Sequence, residues 1–195
     1  MGRTRSYDED AVLSGAMHAF RRKGYQAVSV RDLEDATGLK VGSIYHSFGD
    51  KAGLFDAAFA HYNRVVLRGR IERFAPVEAG MDGLLALFVS LLHEPDDESF
   101  GCLITNSAIE FGGEARPHRC TVEGLRVLTE TFMERLSSVQ QRGGLRADIS
   151  PESAALRLLA LYQGILVLIR AGHDKQALAA LIQNEFNSLE ARHDP

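Results

Sequence analysis

Between Ser29 and Lys51 the chain reads SVRDLEDATGLKVGSIYHSFGDK, and its second half is dense in short polar side chains. Lys40, Ser43, Tyr45, His46 and Ser47 supply hydrogen-bonding tips, while Val41 and Gly42 add little bulk. That combination suits a surface reading base edges in the major groove of DNA, which admits a helix and presents donors and acceptors there. Ser29, Arg31 and Lys51 complete the expected DNA-facing set. Tyr45 and Lys51 are assigned mainly to phosphates, which fix register and make binding salt-dependent.

These groups need two short helices at a sharp turn. Ser29 is placed to cap the first, with Asp32 at the third position answering back to the cap. Leu33 and Ala36 give that helix an inward face, and Thr37-Gly38 ends it, glycine being at home in left-handed backbone. A second helix over about Val41–Ser47 turns Ile44 and Phe48 inward with Leu39 and leaves the polar tips outward. Before both, Tyr7–Lys23 reads as an amphipathic brace. The spacing predicts a small three-helix core of Leu13, Phe20, Val30, Leu33, Ile44 and Phe48.

The run Gly38-Leu39, then Gly42-Ser43-Ile44-Tyr45-His46-Ser47-Phe48, then Lys51 and Leu54-Phe55, resembles the helix-turn-helix of the tetracycline-repressor (TetR) family of bacterial regulators. Three positions depart from that pattern: Glu34 stands where alanine is common, Gly49 where proline is, and Asp50 where serine or asparagine is. The resemblance implies an all-α protein of about nine helices. Residues 1–50 would form a homeodomain-like helix-turn-helix domain. Residues 51–195 would form an effector-binding and dimerisation domain, with 51–74 as the connecting helix. It further implies a homodimer, a palindromic double-stranded operator, a small-molecule effector, and a dimeric repressor that leaves DNA when the effector binds.

Composition agrees with a soluble globular chain. Apolar residues make up 45% and charged residues 25%, which argues against gross disorder. Residues 1–75 carry twelve Lys/Arg against nine Asp/Glu, and residues 76–195 carry ten against seventeen. A mildly basic head on an acidic body fits a protein that brings one end to DNA. The longest apolar block, Leu158–Ile169, is short and holds Gln163, so a cytoplasmic protein without membrane contact is expected. Arg3 and Arg5 read as a basic arm or solvated tail.

Beyond the motif, Lys51–Phe74 reads as one long helix with Leu54, Phe55, Ala58, Phe59, Tyr62 and Val66 inward, and Arg64, Arg68, Arg70 and Arg73 as a solvated face. Pro76, Gly80 and Gly83 are expected to break the chain before a helix over Leu84–Leu92. An acidic loop, Glu94–Glu98, precedes a short helix ending at Glu110, and longer helices follow over Arg116–Gln141, Ser150–Ala171 and Asp174–Ala191. The last two exceed what one body would hide, so Leu158, Ile165, Leu178, Leu181, Ile182 and Phe186 are expected at a two-fold interface.

Phe59, Tyr62, Phe88, Cys102, Asn106, Phe132 and Tyr162 are spread over several helices in the manner of a bundle pocket and are the expected effector-lining set. The two cysteines, Cys102 and Cys120, have no disulfide or metal spacing, and no cofactor or metal is expected. Cys102, at a helix start, supports an alternative reading as a redox or electrophile sensor. His118 and Cys120 lie close in sequence but lack an orienting third residue, so no catalytic residues are assigned and an enzyme is not expected. A thiol enzyme and a dimerising scaffold without DNA binding are the readings of other classes.

Overall fold

In the computed structural model, residues 7–93, 100–113 and 118–191 are described. The basic arm of Arg3 and Arg5, the acidic run 94–98 and the expected helix start at Arg116 lie outside them. Nine helices and no strand occur among the described residues, as an all-α reading requires. They are α1 (Glu9–Lys23), α2 (Val30–Thr37), α3 (Val41–Phe48), α4 (Lys51–Phe74), α5 (Gly80–Val89), α6 (Leu103–Glu110), α7 (Arg119–Gln141), α8 (Pro151–Arg170) and α9 (Lys175–Leu189).

The chain forms two compact units. One comprises Met1–Leu67 with Cys102–Val122, the other Arg68–Gly101 with Glu123–Pro195. In the first, Leu13, Ala16, Phe20, Leu33, Ile44, Leu54, Phe55 and Phe59 are buried. Val30 and Phe48, expected in this core, are only half-buried, whereas Val28, just ahead of the α2 cap, is buried. Each large side chain buried here contributes roughly 1.5–3 kcal/mol.

Helix α4 is α-helical over Lys51–His61, π-helical over Tyr62–Leu67 and α-helical again over Arg68–Phe74. The wider turn shifts the inward register by one residue. Leu54, Ala58 and Tyr62 are buried at intervals of four, and the next buried position on that track is Leu67, followed by Ile71. Val66, expected inward from an unbroken 3.6-residue period, is therefore half-exposed. Of the arginines expected as a solvated face, Arg64, Arg68 and Arg73 are exposed and Arg70 is half-buried, and they make surface contacts: Arg64 with Asp10 at 3.2 Å, Arg68 with Glu123 at 3.4 Å, Arg70 with the Ser90 carbonyl at 3.2 Å, and Arg73 over the Phe74 ring.

In the second unit, Pro76 and Gly80 interrupt the helices as expected, Gly80 at φ 63° after the short 3-10 turn Val77–Ala79, whereas Gly83 lies inside α5. A Cβ on Gly83 would lie 2.4 Å from the Ala79 Cβ and 3.1 Å from the Phe74 carbonyl, so the glycine serves close packing rather than a turn. Phe88 meets Phe132, Tyr162 and Phe186 at ring-centroid distances of 5.6, 5.4 and 5.3 Å, forming the aromatic centre of this unit. Helix α8 starts on a Ser150 cap with Pro151 in its first turn.

By length and composition α8 is apolar enough to cross a bilayer, a property it shares with core helices of soluble proteins. Its Ala154, Ala155, Leu158, Tyr162, Ile165, Leu166 and Ile169 are buried within the chain. The residues expected at a two-fold interface divide by burial. Leu158, Ile165, Leu178, Ile182 and Phe186 are each at most 4% exposed inside one chain, whereas Leu181 is 44% exposed. The large apolar side chains left outside on α8 and α9 are Leu156, Val167 and Leu181.

Candidate nucleic-acid interface

The first helix of the reading pair is fixed by a complete capping box. Ser29 Oγ accepts the Asp32 N–H at 3.2 Å, and Asp32 Oδ2 accepts the Ser29 N–H at 2.9 Å. Lys23 Nζ lies 2.6 Å from Asp32 Oδ1. The Lys23 ammonium first, and then the Ser29 N–H and hydroxyl, hold the Asp32 carboxyl well below the usual carboxylate range. At the other end, Thr37 Oγ1 donates to the Leu33 carbonyl at 2.6 Å and accepts the Leu39 N–H at 3.2 Å. Gly38 follows at φ 70°, where the chain turns sharply into the next helix.

Lys40 precedes α3 but its side chain caps nothing. Glu34 does that work from α2: its Oε1 accepts the Val41 N–H at 2.8 Å. A carboxylate at a helix N-terminus meets both an orphan donor and the positive end of the helix dipole. The departure from the family pattern at this position is thus a cap that fixes the angle between the two helices. No pattern of local spacing marks it, since cap and capped amide lie seven residues apart across the turn.

Only Ile44 of α3 is buried. Lys40, Val41, Gly42, Ser43, Tyr45 and His46 are exposed, as are Ser29 and Arg31 at the start of α2, while Ser47 is half-buried against the expectation of an outward tip. Asp50 caps α4 by accepting the Gly53 N–H at 2.8 Å. Lys51 is half-buried, with its ammonium 4.8 Å from the centre of the Tyr25 ring and 3.4 Å from the Gln26 carbonyl. Its hold on the α1–α2 turn was not legible from the motif.

That turn has a second support from distant sequence. Glu110, the last residue of α6, accepts the Tyr25 N–H at 2.9 Å on Oε2 and the Gln26 N–H at 2.7 Å on Oε1. Asn106, one turn earlier, donates to the Arg21 carbonyl at 3.2 Å. Asn106 was expected to line an effector pocket, and here it braces α1.

The other expected effector-lining residues do not form one described site. Phe59, Tyr62 and Cys102 lie in the first unit, where the Tyr62 hydroxyl donates to Cys102 Sγ at 3.1 Å, and Cys102 is 2% exposed. Phe88, Phe132 and Tyr162 belong to the aromatic centre of the second. A shallow cavity of about 280 Å³ in that unit is lined instead by Gly80, Met81, Val139, Arg142, Gly144, Glu190 and Ala191.

Known proteins are similar along nearly the whole chain. The M. tuberculosis HTH-type transcriptional repressor Rv1474c is 29% identical over 178 residues, covering 91% of this chain and 90% of its own. The E. coli HTH-type transcriptional repressor ComR is 27% identical over 181 residues, covering 91% and 86%. Among solved structures, a cysteine-substituted TetR family regulator CifR in complex with 26-bp double-strand operator DNA superposes with a TM-score of 0.81 at 25% identity, over 96% of this chain and all of that one. Residues 12–58 match the bacterial regulatory proteins of the tetR family, and residues 80–184 match the tetracyclin repressor-like C-terminal domain. Reading helices and body alike therefore place this chain in the tetR family of bacterial regulatory proteins.

Proposed function

We propose that this chain is a sequence-specific, DNA-binding transcriptional repressor that acts as a homodimer on a palindromic operator and is released by a small-molecule effector. The observation that carries it is the exposed face of α3, from Lys40 to His46, held at a fixed angle to α2 by the Glu34 cap. Lys40, Ser43 and His46 read base edges, with Val41 and Gly42 allowing close approach. Tyr45, Lys51, Ser29 and Arg31 hold the phosphates, and Ser47 contributes from the edge of the helix. The operator-bound CifR structure and the repressors of similar sequence support this reading.

Two copies would place their α3 helices about one helical turn of DNA apart, roughly 34–36 Å, or a compatible multiple. Effector binding in the body would alter that spacing through α4, whose turns continue from Lys51 through the π-helical segment Tyr62–Leu67 to Phe74. The division of labour proposed is DNA reading by residues 1–50 and effector binding and dimerisation by 51–195, in the cytoplasm and without catalysis. Non-covalent binding is favoured over thiol chemistry at Cys102 because that thiol is buried and accepts the Tyr62 hydroxyl. Selection of bound duplexes from a random pool tests the reading: a two-fold symmetric motif is expected, and failure to enrich any sequence would overturn it.

A further inference from the structure

We propose that Asp56, His118 and Cys120 bind a divalent transition-metal ion of the zinc type. This site is independent of the DNA-binding reading. A carboxylate from α4 meets an imidazole and a thiol at the start of α7, and one ligand atom from each lies within 4.8 Å of the other two. His118 Nε2 is 3.0 Å from Asp56 Oδ1, and Cys120 Sγ is 3.9 Å from the Asp56 carbonyl. Sequence spacing alone shows only His-x-Cys; the fold brings in the third group from 62 residues away.

The donors are held in place. The His118 ring stacks on Phe59 at 5.4 Å and on Phe111 at 5.5 Å, with the Phe55 ring edge-on at 5.2 Å. Asn63 in the π-helical turn donates to the Cys120 carbonyl at 2.9 Å, and Cys120 is 5% exposed. Asp56, in contrast, has a side chain 51% exposed, which gives an entry path and room for a water at a fourth position.

One nitrogen, one sulfur and one carboxylate oxygen with an open corner is the ligand set of a tetrahedral zinc site. The thiol and imidazole exclude magnesium and calcium, which take oxygen ligands. On binding, the thiol proton leaves to solvent and the ion replaces the Nε2 proton shared with Asp56. The ring proton moves to Nδ1, so the Cys120 N–H to Nδ1 contact, now 3.3 Å, opens.

Cobalt(II) is the probe, added to the full chain after chelator treatment. One Co²⁺ per chain is expected, with a thiolate charge-transfer band and the strong visible bands of a tetrahedral ion. Cys120→Ser should abolish the charge-transfer band, while Cys102→Ser should keep it. Asp56→Asn and His118→Gln should weaken uptake by more than about ten-fold, the loss that even outer partners of a metal site cause. Absence of uptake by the unmodified chain, or a band that survives Cys120→Ser, would overturn the proposal. Should Cys120→Ser lose its far-ultraviolet helical signal, Asp56→Asn decides, because that side chain is half in solvent; unchanged cobalt affinity there refutes the site.

Discussion

Glu34 Oε1 accepts the backbone N–H of Val41 at 2.8 Å, so a side chain of one reading helix caps the other. Removing it leaves the first turn of α3 without a side-chain cap, because Lys40 provides none. Glu34→Ala is expected to cost about 0.5–2 kcal/mol of stability, in the range of lost caps, and to weaken DNA binding beyond that cost by loosening the helix angle. Glu34→Gln should retain most of both. Denaturant unfolding and fluorescence anisotropy on operator DNA measure the two effects. An alanine variant with unchanged stability and affinity would remove the cap from the account.

Lys51 and Lys40 should separate two kinds of contact. Lys51→Ala is expected to weaken binding to all sequences and to lower the salt slope by about one counterion, with base preference intact. It should also cost about 0.5–1 kcal/mol of stability through the lost contact with the Tyr25 ring. Lys40→Ala and Ser43→Ala should instead change preference at particular base pairs, by about 1–3 kcal/mol each. Changed base preference in the Lys51 variant at an unaltered salt slope would reverse the assignment.

Leu181 and Ile182 are neighbours in α9 with opposite fates, 44% and 0% exposed. Leu181→Glu should give a folded monomer or a weakened dimer, with DNA affinity falling alongside. Ile182→Glu should unfold the chain, since it buries a charge without a partner. Sedimentation and circular dichroism distinguish them. A fully dimeric Leu181→Glu protein would exclude this face from the interface.

His61 is a pH-sensitive point in the DNA-reading unit. It is buried, with Nε2 2.9 Å from Ser14 Oγ and Nδ1 3.1 Å from Arg64 and 3.4 Å from Asp10. Burial first, and then the Arg64 charge, push its pKa below 6.5, with Asp10 pulling the other way. The unfolded chain then binds a proton that the folded chain refuses. Stability should fall as pH drops through 6.5, level off below the folded-state pKa, and show no contribution from this group at higher pH. His61→Gln should remove that part of the pH profile in urea titrations; an unchanged profile would assign the dependence to other groups.

Cys102→Ser tests how the signal arrives. The serine keeps nearly the size of the buried thiol and removes its nucleophile, so the variant is expected to bind DNA and still respond to the effector. Small aromatics, electrophiles and peroxide should be screened for operator release from both proteins. Loss of every response in the serine variant alone would favour the thiol-sensor reading.

The reading helices were legible in the sequence because their signals are local. Ser29 and Asp32 cap within one turn, and Leu33 and Ile44 face inward at helical spacing. What was not legible depends on residues brought from elsewhere. Glu34 reaches across a turn, Glu110 supports amides 84 and 85 residues away, and Asp56 supplies the third group that His-x-Cys lacked. The surroundings of the expected interface residues were not legible for a related reason. An apolar stripe identifies a buried face but not what buries it, and Leu158, Ile182 and Phe186 are covered by their own chain.

The π-helical turn at Tyr62–Leu67 also bears on descent. Such a turn accommodates one extra residue while the helix on either side keeps its inward face. Relatives with an uninterrupted helix here would be one residue shorter, and alignment without a gap would pair Val66 where Leu67 belongs. Deleting one residue from this turn should therefore be a milder change than deleting one from Lys51–His61, where every later side chain would rotate by about 100°.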